Sequence, residues 1–184
     1  MDFAARVYFD FDSKDSWRLH QMFARAESEG SWIVLDWTAF TEQPPTTTAS
    51  ARTILSFYEW LHRADPKAAV RFVHMAMVLL HAEKAPAEDP DTLLIAAKAA
   101  GVEPGLCRQV VHDRRGELLL SQTMKEARSL GVTAVPSLYR AGAPLHVVTT
   151  PVVLEGNATD RLAVFESMLA DDGLWSLSKP PATG

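Results

Sequence analysis

The order of hydrophobic patterns along this chain of 184 residues constrains its fold more than any single motif does. The apolar run Val7-Tyr8-Phe9-Asp10-Phe11 has strand character, and Ser16 to Phe23 directly after it shows helical apolar spacing. Glu27-Ser28-Glu29-Gly30 ends that helix, and Trp32 to Trp37 reads as a second buried strand, so the chain opens β-α-β. From Ala51 to about Leu130 the pattern is helical only. Strand patterns then return at Ser137 to Arg140, His146 to Thr150 and Val152 to Leu154. A last helix follows the capping side chains of Asn157-Ala158-Thr159-Asp160 and carries Leu162, Val164, Phe165, Met168 and Leu169. The fold class is therefore α/β, a sheet whose two halves, residues 1–50 and 131–177, are separated by an all-helical insertion over 51–130.

Punctuation within the insertion supports this division. Ile54, Leu55, Tyr58 and Leu61 share one helical face, and Asp65-Pro66 stops that helix and starts the next, with Pro66 in the first turn. Val70, Val73, Met77, Leu80 and His81 are expected on one side of the second helix. Asp89-Pro90-Asp91 starts a short helix closed by Gly101, another begins near Glu103-Pro104, and a longer one runs from about Glu117 to Leu130 before Gly131. Thr41 to Thr48, rich in Pro and Thr, is a surface connection, and residues 178–184 form a disordered tail with nothing to bury. With 47% apolar residues the chain builds one substantial core rather than separate folding units.

Charge and cysteine content narrow the partners. The formal net charge of -5, with Lys and Arg scattered, opposes a broad basic surface for nucleic acid or anionic membrane. Cys107 is the only cysteine, which excludes an intrachain disulfide. No apolar run approaches a membrane span, and Asp2, Arg6 and Asp10 interrupt the N-terminal apolar residues, so a cytoplasmic location is expected. His74 and His81 are two helical turns apart, too far for one metal site without help, and no metal is expected. Cys107 beside Arg108 reads as a small half-buried residue, and Trp17, Phe23, Trp32, Trp37, Phe57 and Trp60 as core or interface aromatics.

Chemistry concentrates at the first strand-to-helix junction, Ser13-Lys14-Asp15-Ser16-Trp17. A helix N-terminus presents unpaired N–H groups and a partial positive charge, which favour an anion. Asp12 or Ser13 could equally be an ordinary N-cap, and Ser16 a capping or packing residue. His20, two turns along the helix, is poorly placed as a base for the Ser13 hydroxyl.

With Gly131-Val132-Thr133-Ala134-Val135-Pro136 leading into the closing β-β-α, nearly the whole chain resembles the DsbA-like branch of the thioredoxin superfamily, with serines where a Cys-x-x-Cys would stand. Within it, Tyr8 to Trp17 is most similar to kappa-class glutathione transferases and 2-hydroxychromene-2-carboxylate isomerases. Ser13, Ser16 and Trp17 match their Ser-Pro-Tyr-Ser-Trp motif; Lys14 and Asp15 do not. The resemblance implies Ser13 as the catalytic residue holding the sulfur of glutathione. It also implies a cis Val135-Pro136 bond that docks the cofactor backbone, and Thr159-Asp160 holding its amine. Lys14, Asp15, Ser16 and Trp17 would line the cleft, and the assembly would be a homodimer. The loop between Phe40 and Arg52 is shorter than in kappa enzymes, so mycothiol or bacillithiol could replace glutathione. The implied activity is a transferase or isomerase acting on a small electrophile. A redox-inactive protein that keeps the cleft for a peptide or small molecule is the alternative. Asp10-Phe11-Asp12-Ser13 also resembles the Asp-x-Asp turn of haloacid-dehalogenase-type phosphohydrolases, without their downstream acidic pair.

Overall fold

In a computed structural model the described residues are 2–41, 49–142, 146–147 and 157–170. Strand β1 (Asp2–Phe9) runs through the middle of a four-stranded sheet and pairs in parallel with β2 (Trp32–Ala39). On its other side it pairs antiparallel with β3 (Ser137–Tyr139), which carries β4 (His146–Val147), giving the order β2-β1-β3-β4. Helix α1 (Lys14–Ser28) makes the crossover between the parallel strands, and α7 (Ala158–Ala170) packs beside it. Between β2 and β3 lie α2 (Ala49–Ala64), α3 (Pro66–Met77), a π-helical turn over Val78–Ala82, α4 (Pro90–Ala99), α5 (Pro104–His112) and α6 (Arg115–Ser129).

Local chemistry sets these boundaries where the sequence placed them. Asp65 accepts the Ala68 N–H at 3.0 Å and Asp89 the Asp91 N–H at 2.9 Å, each capping a helix with Pro at its first position. Gly101 and Gly131 follow helix ends with φ of +89° and +88°, a region where a side chain would be strained. Tyr58, from α2, stacks edge-on against Phe9 and Phe11 and donates a hydrogen bond to the Trp37 carbonyl, so the insertion and the sheet share one hydrophobic core.

Three expectations are corrected. The first strand ends at Phe9, because Asp10 to Asp12 already form the turn into α1, and Phe11 enters the core from that turn. The second strand is buried only over its last three residues; Trp32 is 71% exposed and Val34 54%, since β2 is the sheet's edge. Val70 is exposed, while the buried stripe of α3 runs through Ala69, Phe72, Val73 and Ala76. The connection over 42–48, the strand at Val152 to Leu154 and the tail at 178–184 lie outside the described residues. Among the described residues no helix is long and apolar enough to cross a membrane.

Candidate functional site

The turn that leaves β1 is built from its own polar atoms. The Ser13 N–H donates to the Asp10 carbonyl at 3.2 Å, and the buried Asp10 carboxylate accepts the Asp12 N–H at 3.0 Å. Ser13 is the N-cap of α1: its Oγ accepts the Ser16 N–H at 3.1 Å. That contact uses a lone pair of the hydroxyl and leaves its proton to donate. Ser13 is half-buried, whereas Ser16 is sealed inside and its Oγ accepts the Asp10 N–H at 3.4 Å. Ser16 thus supports the turn rather than lining the cleft. Lys14 is exposed, and Asp15 pairs with Arg18 at 2.9 Å, which offsets the negative charge it brings to the helix start.

The Val135-Pro136 peptide bond is cis. Ser137 pairs with Tyr8 across the sheet, so Pro136 stands level with Phe9, at the end of β1 from which the Ser13 turn departs. Pro136 is buried. Val135 is half-buried against Tyr8 and Phe40.

Thr159 and Asp160 are not brought to this end. The Thr159 N–H donates to Glu29 Oε2 at 3.2 Å, and its Oγ1 lies 3.3 Å from Ser31 Oγ. Glu29 is the C-cap of α1, so the start of α7 sits roughly 20 Å from Ser13, the length of a helix of this size at about 1.5 Å per residue. Glu29 Oε2 also accepts the Ala158 N–H at 3.0 Å, and Asn157 Oδ1 the Thr159 N–H at 2.8 Å, so these residues serve the helix start.

What sequence reasoning missed is a column of rings over the first turns of α1. Trp17 lies nearly parallel to His81, with ring centres 5.7 Å apart at 8°, and to His20, at 5.6 Å and 16°. His20 in turn meets His74 at 5.2 Å. Burial pushes His20 down to about 4, helped by His74 and His81, and its Nδ1 is buried without a partner. His81 Nε2 donates to the Phe11 carbonyl at 2.8 Å, and burial lowers its pKa too. The π-helical turn, whose wider register departs from the 3.6-residue spacing, carries this imidazole to the Ser13 turn. A cleft of about 500 Å³ opens beside it, lined by Phe11, Asp12, Leu80, His81, Ala87 and Glu88 among others.

The remaining candidates are quiet. Cys107 is fully buried and its thiol is pushed up to about 11 by that burial, so it is protonated and enclosed. Among the described residues no three His, Cys, Asp or Glu side chains converge as metal ligands.

No protein-family model and no curated protein matches the sequence. Solved structures do match. A candidate protein disulfide isomerase from Nitrosomonas europaea superposes with a TM-score of 0.64 at 9% identity, covering 89% of this chain and 97% of that one. DsbA from Xylella fastidiosa gives 0.61 at 12% identity, covering 91% and 84%. A cysteine-to-serine variant of Proteus mirabilis DsbA with a non-covalently bound peptide gives 0.58 at 11%, covering 91% and 89%. These superpositions show the fold: this chain has the DsbA-type thioredoxin-like fold, and its single cysteine leaves no Cys-x-x-Cys pair, serines standing at the first strand-to-helix turn.

Proposed function

We propose that this protein binds a low-molecular-weight thiol at Ser13 and uses it in a transferase or isomerase reaction on a small electrophile. Dithiol-disulfide exchange passes through a mixed disulfide at this turn, which serines cannot form. The observation that carries the reading is that Ser13 caps α1 through a lone pair and keeps its O–H proton, at a helix N-terminus where anions are favoured. A charge-assisted hydrogen bond to a thiolate contributes about 1.5–3 kcal/mol, equivalent to lowering a thiol pKa by roughly one to two units from about 8.5. Val135 and Pro136, at the same end of the sheet, would meet the backbone of the thiol compound.

The residues fit the sulfur better than they fit glutathione as a whole. Asp160 stands at the far end of α1, so its carboxylate is no partner for a γ-glutamyl amine near Ser13, and mycothiol and bacillithiol remain in the set. Calorimetric titration with the three thiols tests the reading. Ser13→Ala is expected to weaken or abolish binding at least tenfold and Asp160→Ala to leave it unchanged. Absence of binding by all three refutes the proposal and favours the second reading, a redox-inactive binding protein. That alternative draws support from the serine variant of Proteus mirabilis DsbA, which holds a peptide without a covalent bond.

A further inference from the structure

Among the described residues His81 is the one imidazole that touches the chain on both sides of Ser13: it bonds to Phe11, two residues before it, and stacks on Trp17, four residues after it. A carbonyl oxygen only accepts, so the bond to Phe11 fixes the proton of the neutral ring on Nε2 and leaves a lone pair on Nδ1. Nδ1 makes no hydrogen bond among the described residues, and the ring lines the cleft beside Asp12 and Glu88. The π-helical turn is a second, independent sign, because such wide turns occur mostly as local insertions and often at functional sites.

We propose that His81 is the catalytic base of the Ser13 site, its Nδ1 taking the proton from a thiol held there. The S–H bond breaks, the electron pair stays on sulfur, and the new N–H bond makes an imidazolium. This inference rests on the thiol-binding reading above. Burial keeps the free ring neutral and ready to accept, and the thiolate created beside it favours the imidazolium, as does the indole face of Trp17. The charged and titratable groups that face the ring are Asp12 and Lys14 from the turn and α1, His20 further along α1, and Lys84 and Glu88 from the segment after the π-helical turn.

The test uses the full chain and the probes glutathione, mycothiol and bacillithiol. Nitrogen NMR of the free protein is expected to show His81 protonated at Nε2 and bare at Nδ1, and saturation with a binding thiol to add the Nδ1 proton while thiolate absorbance appears. His81→Gln keeps an amide N–H for the Phe11 carbonyl and has no basic nitrogen. It should bind the thiol within threefold, melt as the wild type does, and hold at least tenfold less thiolate at pH 7. A free His81 protonated at Nδ1, or equal thiolate in His81→Gln and wild type, overturns the proposal while leaving thiol binding intact. If none of the thiols binds wild type, the functional reading fails and the base falls with it.

Discussion

Replacing Ser13 separates the two tasks assigned to one oxygen. Ser13→Ala removes both the acceptor that caps α1 and the donor offered to a ligand. Loss of the cap costs about 1 kcal/mol, which for a chain of this size lowers Tm by roughly 2–4 °C. Loss of the donor removes about 1.5–3 kcal/mol from a bound thiolate and so raises the bound thiol's pKa by roughly one to two units. Ser13→Asp divides these effects: a carboxylate caps a helix about as well as a hydroxyl, but it cannot donate and it adds a negative charge. Its melting temperature should match or exceed that of the wild type, while its bound thiol titrates at or above the free value. Thermal melts followed by circular dichroism and the pH dependence of thiolate absorbance read the two effects independently. A Ser13→Ala protein that melts with the wild type and ionises its thiol at the same pH would refute both halves of the reasoning.

Other perturbations probe the surrounding frame. His20 titrates at about 4 in the folded protein against about 6.5 unfolded, so the unfolded chain binds more protons between those values; stability falls by about 3 kcal/mol as pH drops from 6.5 to 4. Urea unfolding at several pH values should show this loss, and His20→Phe should flatten it. Glu59 is buried with its carboxylate accepting from Thr123 Oγ1 at 2.8 Å and Ala39 N at 3.2 Å, and burial raises its pKa. Its folded pKa lies above the unfolded one, so stability declines as pH rises from about 4.5 through the folded value; Glu59→Gln should lack that slope in the same unfolding series. Gly116 in α6 lies against the Ser56 backbone of α2, where a Cβ would overlap the carbonyl. Gly116→Ala is expected to cost roughly 1–3 kcal/mol or more, visible as a Tm drop, and a neutral result would mean the two helices do not pack this closely.

Most element boundaries were legible because they rest on local chemistry. Asp65-Pro66 and Asp89-Pro90 announce capped helices, and Gly101 and Gly131 close theirs whatever lies around them. The serine cap was legible for the same reason, although sequence alone left Asp12 and Ser13 as equal choices. Burial along β2 was not, since an apolar run has the same pattern at a sheet's edge as at its centre, and only the strand order shows which residues are covered. His81 was read as an insertion residue because its partners, Phe11 and Trp17, are remote in sequence and brought close only by the tertiary fold. Thr159 and Asp160 show the limit of matching motifs in chain order: order ranks the elements but does not say which end of α1 the last helix approaches.

Ser13 stands partly open and Ser16 enclosed, three positions apart on the first turn of one helix. Exchanging oxygen for sulfur at both would set one reachable and one shielded thiol on that turn, so that an outside partner would meet the first before the second. The turn therefore has the positions of a Cys-x-x-Cys pair without its sulfurs, and a double serine-to-cysteine replacement asks whether this framework alone can support thiol-disulfide exchange.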